Sequence, residues 1–134
     1  MGFLIAAWPW IIPLEVLHHK APVAFIREVD ARVPANSMIV ADAGVEGAVS
    51  WALKRDDIYV VGSGGETSYG LGADDAEGRH LAAADLLALM ESRNVLLFCA
   101  GDCPPDERAR LPVADPTWRY GIIQAHYFPV AAER

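Results

Sequence analysis

Basic residues are scarce in this 134-residue chain, which has 11 Lys and Arg against 18 Asp and Glu and a formal net charge of −7. Nucleic-acid binding depends on a basic stripe or patch that meets phosphate groups, and the sequence contains no such run. Cysteine is scarce too, because two residues are too few for a disulfide-rich scaffold. We therefore expect no nucleic-acid partner and no disulfide scaffold.

No apolar run is long enough to form a complete membrane span, since a spanning helix needs about 20 apolar residues. The apolar content is nevertheless 53%, which is enough to build a buried core in one domain of this length. These features favour a single α or α/β domain, and by themselves they say nothing about its function.

The most unusual segment is residues 3–14 (FLIAAWPWIIPL), in which twelve consecutive positions carry neither a charge nor a hydroxyl group. Three interpretations compete. A signal peptide would need a basic leading region and a clean cleavage site, and both are missing. A core helix would be interrupted by Pro9 and Pro13. The outer end of a truncated transmembrane helix would place Trp8 and Trp10 at interfacial depth.

Beyond this segment, apolar periodicity predicts helices alternating with strands. Pro22 suits the first turn of a helix whose apolar face carries Ile26, Val29 and Val33. Further helices are predicted near 45–55 and 83–93, and strands at 38–42, 58–61, 95–98 and 120–128, the last antiparallel at an edge. The sequence thus predicts an α/β fold, a small three-layer α/β/α sandwich with a mostly parallel sheet of about four strands and an antiparallel edge strand.

The glycine-rich turn from Gly62 to Glu66 follows a predicted strand, which is where doubly wound folds bind ligands. The sequence contains no G-x-G-x-x-G and no G-x-x-x-x-G-K-[ST] pattern, so a phosphate cradle has weak support. A tight turn that needs positive φ explains the glycines better.

Two cysteines, Cys99 and Cys103, lie four positions apart at the end of the third predicted strand. Zinc would need two further ligands, and no Cys or His pair has a convincing spacing, so we expect no metal site and no cofactor. The spacing also excludes a redox C-x-x-C motif. A local disulfide and a buried thiol at Cys99 both remain open.

Carboxylates occur in pairs at Asp56-Asp57 and at Asp74-Asp75 with Glu77. A catalytic pair must be brought together and have its pKa values split by burial or by a neighbour. These pairs stand among polar residues, which favours solvated loops. No Ser/His/Asp or Cys/His arrangement follows from the spacing, so we expect no catalytic residue in this chain.

The stretch from Trp51 to Leu71, WALKRDDIYVVGSGGETSYGL, and the Gly78-Arg79 pair after it resemble a known family. This is the C-terminal extracytoplasmic domain of the aminoarabinose lipid A transferases, which are membrane glycosyltransferases of the GT-C type. The matching positions are Trp51, Leu53, Lys54, Arg55, Asp57 and Ile58, then Gly65, Glu66, Tyr69, Gly70 and Leu71, and finally Gly78 and Arg79. Thr67 and His80 depart from the family pattern, which has Leu and Phe there.

The resemblance implies that residues 1–21 are the stub of the last transmembrane helix and residues 22–134 a single domain on the periplasmic face of the bacterial inner membrane. It implies that the full-length enzyme transfers 4-amino-4-deoxy-L-arabinose from undecaprenyl phosphate to lipid A, which confers resistance to polymyxins. The catalytic carboxylates of the family lie in the membrane portion. This fragment alone is therefore expected to be inactive, with the membrane portion, the lipid-linked donor and lipid A as its partners.

Within the shared motif, three polar residues are candidates for facing the cavity where donor and acceptor meet: Glu66, Tyr69 and Arg79. We expect the domain to cap the membrane-embedded site and these residues to contact substrate. A structural role for the same residues is the competing interpretation. The competing functions are a stand-alone module binding a nucleotide or small acid at Gly62–Glu66, the same domain on another lipid-linked sugar transferase, and a purely structural interaction domain.

Overall fold

The computed structural model describes residues 22–62, 78–101 and 111–130. Glu66, Tyr69, Cys103 and the apolar segment at 3–14 lie outside these ranges. The described residues form three helices and six strands. In chain order these are α1 (Val23–Asp30), β1 (Met38–Asp42), α2 (Glu46–Leu53), β2 (Tyr59–Val61), β3 (His80–Leu81), α3 (Ala83–Ser92), β4 (Val95–Ala100), β5 (Thr117–Tyr120) and β6 (Ile123–Phe128).

The strands form one sheet in the order β3-β2-β1-β4-β6-β5. The first four strands of this order pair in parallel, whereas β6 pairs antiparallel with β4 and β5 pairs antiparallel with β6. This confirms the predicted α/β class with a mostly parallel sheet and an antiparallel edge. The expected count of about four strands is wrong, because the described residues form six.

The difference in strand count has two sources. β3 has only two residues, His80–Leu81, which is too short to show a periodic pattern in the sequence. The single edge strand predicted from Tyr120 to Phe128 is instead the second arm of a hairpin, and Gly121 turns the chain with a φ of 58°. The outer arm, β5, is the edge strand, while β6 lies inside the sheet and is buried along its whole length.

Apolar side chains form two clusters, one on each face of the sheet, because neighbouring residues of a strand point to opposite faces. In β1, Ile39 and Ala41 join the first cluster and Met38 and Val40 the second. Helices α1 and α2 contribute to the first cluster and α3 to the second. The central members that are fully or almost fully buried include Phe98, Phe128, Ile26, Ile39, Leu86, Met90, Leu96 and Leu97.

Side chains near the ends of two helices and before β4 form hydrogen bonds and an ion pair. In α1 the Arg32 side chain, just past the helix, pairs with Glu28 one turn earlier, because residues four apart in a helix lie on the same face. At the start of α3, Asp85 accepts a hydrogen bond from the backbone N–H of Ala82, which satisfies one donor that the helix leaves unpaired. Before β4, the side-chain oxygen of Asn94 accepts the N–H of Val130, so this turn residue also fastens the end of the described chain.

The start of α1 lies at the carboxyl edge of the parallel strands, since α1 leads into the amino end of β1. The ring of Phe25, in the first turn of α1, stacks on Tyr120 with 5.5 Å between centroids. Tyr120 ends β5 next to the hairpin turn, where the side chain of Ile122 is 59% exposed. Polypeptide that precedes α1 therefore joins the domain at the carboxyl edge. None of the helices in the described ranges has the length and apolarity that a membrane span requires.

Candidate functional site

The first candidate position is the carboxyl edge between β1 and β4, where the strand order reverses and open α/β sheets bind ligands. Asp42 ends β1 there. Its Oδ1 accepts the backbone N–H groups of Gly44 (2.8 Å) and Val45 (3.1 Å), and its Oδ2 accepts the N–H of Ala100 (2.7 Å). The carboxylate is thus occupied by three backbone donors and fastens β1 to β4.

The glycine-rich turn after β2 begins at Gly62, whose φ of 95° confirms that this position needs glycine for its backbone conformation. The carbonyl oxygen of Gly62 accepts a hydrogen bond from Nε2 of His80 at 2.8 Å. The remainder of the predicted turn, up to Glu66, lies outside the described residues. His80, one of the two departures from the family pattern, therefore holds the Gly62 carbonyl through its ring nitrogen.

Of the three predicted substrate-binding residues, Arg79 alone lies within the described ranges, and Glu66 and Tyr69 do not. Arg79 precedes β3 at the amino edge of the sheet. Its Nη1 donates to the backbone carbonyl of Asp56, and its Nε is buried without a hydrogen-bond partner among the described residues. The guanidinium thus holds the loop before β2 in place.

A second motif group meets Arg79 at this amino edge. Arg55 forms a two-point ion pair with Asp57, with its Nε 2.7 Å from Oδ1 and its Nη2 2.6 Å from Oδ2. The hydrogen bond from Arg55 lowers the pKa of Asp57, and the same bond raises the pKa of Arg55 against the opposing effect of burial. Because Arg79 bonds to the residue between this pair, the first and third blocks of the shared motif meet here.

The sequence does not predict this convergence. It predicts Arg55 as a motif position, and Asp57 as a motif position and a member of a solvated loop. Asp57 is indeed exposed, as is Asp56. The feature of the sequence that could have indicated this contact is position. Asp57 and Arg79 both come just before a strand of the parallel sheet, and the amino ends of neighbouring parallel strands meet at one edge.

The Arg55–Asp57 pair gives a prediction for pH. Because the folded-state pKa of Asp57 is lowered, the pair stabilises the fold fully above the ordinary carboxyl pKa, and this contribution is lost as pH falls through the lowered value. The pair is largely exposed, so we expect Asp57→Asn to cost only about 0.2–1 kcal/mol at neutral pH and nothing in strong acid. Urea unfolding of both proteins at several pH values measures this, and a cost that grows on acidification would contradict it.

Another motif position, Trp51, lies on the outer side of α2 with 76% of its surface exposed. The ammonium group of Lys54 lies 5.9 Å from the centroid of its ring, within the range of a cation–π interaction. Lys54 follows α2 in the left-handed conformation, with a φ of 54°. This turn reverses the chain toward Arg55 and β2.

The sequence leaves open whether Cys99 is a buried thiol or part of a disulfide. Cys99 is completely buried in β4 and is disulfide-bonded, so it is not a buried free thiol. The other cysteine of the sequence, Cys103, lies outside the described residues. Among the residues that the structure describes, no group of three or more His, Cys, Asp or Glu side chains is placed to hold a metal ion.

Two of the cavities lined by described residues are open to solvent. One, of about 290 Å³, lies beside β5 and β6 and is lined by apolar side chains together with Thr117, Gln124 and His126. In this group Thr117 Oγ1 and His126 Nδ1 are 3.2 Å apart, and Gln124 donates to the carbonyl of Gly101 at 2.7 Å. The other, of about 240 Å³, lies at the amino edge beside the Arg55–Asp57 pair.

Comparison with known proteins matches residues 17–125 to the family described as the arabinosyl transferase ArnT, C-terminal domain. An undecaprenyl phosphate-alpha-4-amino-4-deoxy-L-arabinose arabinosyl transferase of Shewanella sediminis is 32% identical over 117 residues, which are 81% of this chain and 21% of the relative. The transferase of the same name from Edwardsiella ictaluri is 35% identical over 119 residues, 82% of this chain and 21% of the relative.

The transferase from Erwinia tasmaniensis is 32% identical over 126 residues, 88% of this chain and 22% of the relative. This chain therefore spans about a fifth of the length of the curated relatives it matches. No solved structure matches it significantly. The family match covers most of the chain and includes all three motif blocks, so the predicted resemblance is confirmed and the chain belongs to the family of ArnT C-terminal domains.

Proposed function

We propose that this chain is the C-terminal domain of an enzyme that transfers 4-amino-4-deoxy-L-arabinose from undecaprenyl phosphate to lipid A. Membership of the ArnT family supports this proposal, as do the names of the relatives, which are arabinosyl transferases acting with the undecaprenyl phosphate-linked sugar. In the same proposal, residues 1–21 form the end of the last membrane helix and residues 22–134 form the domain. The domain lies on the periplasmic face of the inner membrane.

The proposed role of the domain is to cap a membrane-embedded active site, and the observation that carries this orientation is the stack of Phe25 on Tyr120. It holds the start of α1 against the hairpin turn at the carboxyl edge. Because a C-terminal domain is preceded by the rest of its polypeptide, the membrane portion joins at this edge. The carboxyl edge then faces the bilayer, with the exposed Ile122 side chain beside the junction.

This orientation separates the proposed substrate-binding residues. The segment that carries Glu66 and Tyr69 leaves β2 at Gly62, on the edge that faces the membrane portion. Arg79 precedes β3 at the opposite, amino edge, where it donates to the carbonyl of Asp56, so the proposed orientation favours the structural interpretation for Arg79 and leaves Glu66 and Tyr69 as the residues proposed to contact substrate.

The test replaces Glu66, Tyr69 and Arg79 singly by alanine in the full-length enzyme. Loss of one charge-assisted hydrogen bond is expected to lower transfer about tenfold or more for at least one variant. Mass spectrometry of lipid A measures transfer, polymyxin resistance reports its consequence, and immunoblotting measures enzyme abundance. Glu91→Ala, an exposed carboxylate on α3, is the matched control. Normal transfer by the Glu66 and Tyr69 variants at normal abundance would remove their proposed contact with substrate.

A further inference from the structure

The cavity of about 240 Å³ at the amino edge lies on the side of the sheet opposite the proposed membrane junction. It opens between the amino ends of β1 and β2. Its polar lining comes from Asn36, Ser37, Arg55, Asp57, Tyr59 and Arg93. These residues come from three separate parts of the chain, so the fold assembles the cavity.

A buried hydroxyl group in this lining has no partner. Ser37 is only 5% exposed, and its Oγ forms no hydrogen bond with any described residue. A buried polar group without a partner costs free energy, commonly about 1–3 kcal/mol. The backbone N–H of Ser37 donates to the carbonyl of Pro34 and that of Met38 to the carbonyl of Asn94, so the backbone bonds at the start of β1 do not involve this hydroxyl. An acceptor supplied by a ligand would satisfy this donor.

The charges at the cavity favour an anion. Two guanidinium groups, Arg55 and Arg93, line it against one carboxylate, Asp57. The ion pair with Asp57 uses Nε and Nη2 of Arg55 and leaves Nη1 without a partner among the described residues. The Arg93 side chain has no hydrogen-bond partner among the described residues either. Asp30 lies close enough to Arg55 to act on it electrostatically. The lining thus carries an excess positive charge within a chain of net charge −7.

We propose that this amino-edge cavity is a binding site for the phosphate group of an anionic ligand, held by Arg55, Arg93 and the Ser37 hydroxyl. Guanidinium groups bind phosphate through charge-assisted hydrogen bonds, which are about twice as strong as neutral ones. The cavity is larger than a phosphate ion and leaves room for a substituent on it. The proposal does not depend on transferase activity, and its test uses binding alone.

The experiment titrates the 134-residue chain with inorganic phosphate at constant ionic strength and follows backbone amide NMR shifts. Saturable shifts are expected at residues 36–39, 55–59 and 93, with small changes elsewhere. Arg93→Gln is expected to weaken phosphate binding about tenfold, because it removes one charge-assisted contact. Arg119→Gln is the matched control, since Arg119 is an exposed arginine on β5 outside the cavity.

Ser37→Ala separates a binding role from a structural one. Without phosphate, the variant is expected to be as stable as the unaltered chain or more so, because it removes a buried donor that has no partner. Its phosphate affinity is expected to fall severalfold. A variant that binds phosphate normally would contradict the part assigned to the hydroxyl.

The same titration distinguishes two sources of the phosphate group. Vesicles containing phosphatidylglycerol that displace inorganic phosphate would identify a lipid headgroup, and vesicles that leave it bound would identify a free phosphorylated molecule. Both results support a phosphate site. Non-saturable shifts, or equal affinity in the Arg93→Gln and Arg119→Gln variants, would overturn it. Neither of these results affects the proposed transferase, whose test depends on lipid A modification.

Discussion

The Phe98→Ala variant is expected to unfold with a free energy about 3–5 kcal/mol below that of the unaltered chain. Phe98 lies on central strand β4, is fully buried, and packs in the cluster that joins the sheet to α1 and α2. Truncation removes the ring and leaves a cavity that the surrounding strands cannot close. A domain of this size is stabilised by only about 5–15 kcal/mol in total, so the loss is a large fraction of it.

Urea unfolding monitored by tryptophan fluorescence measures this difference. Val113→Ala is the matched control, because Val113 is 89% exposed and its truncation should change stability by less than about 0.5 kcal/mol. Similar small losses for both variants would mean that Phe98 is not packed as described. A loss confined to Phe98→Ala would agree with the packing of Phe98 in the cluster between the sheet and helices α1 and α2.

Asp42→Ala is expected to lower the free energy of unfolding by about 2–4 kcal/mol, the second largest effect. The carboxylate accepts three backbone N–H groups, and hydrogen bonds to a charged group contribute about 1.5–3 kcal/mol each without being additive. Its removal leaves the N–H of Ala100 unpaired at the end of β4. The N–H of Gly44 loses its partner as well.

Two variants show whether the number of accepted bonds determines this effect. Asp42→Asn should cost less than Asp42→Ala, because it keeps one acceptor oxygen, but it should still cost stability, because the amide NH₂ cannot accept the remaining bond. Asp85→Ala removes an exposed carboxylate that accepts a single backbone bond, so its cost should be about 0.5–1 kcal/mol. Equal losses for Asp42→Ala and Asp85→Ala in denaturant unfolding would contradict the bridging role of Asp42.

The elements that could be predicted from sequence are those whose signal is local. Ile26 and Val29 at helical spacing identify α1, and the apolar runs that begin at Met38 and Val95 identify β1 and β4. Short or interrupted elements could not be predicted in the same way. Two residues are too few to identify β3. The strand predicted over residues 120–128 runs through Gly121, where the chain in fact turns.

The candidate site was less predictable because it depends on long-range placement. Asp42 has the position of a strand-ending carboxylate, yet its partner Ala100 is 58 residues away. The contact between Arg79 and Asp56 likewise joins segments 23 residues apart. No periodicity or local spacing encodes such contacts. The family resemblance predicted the family correctly without indicating that the first and third blocks of its motif meet at the amino edge.

The short outer strands of the sheet have a consequence for aggregation. β3 contributes two residues and β5 contributes four, and β5 presents exposed Thr117 and Arg119 side chains. Short, polar or charged edges are poor templates for pairing with another chain. The strands with the strongest tendency to form intermolecular sheets, β1 and β4, are enclosed between other strands and become accessible only when the domain opens. Its aggregation rate should therefore follow the rate of global unfolding.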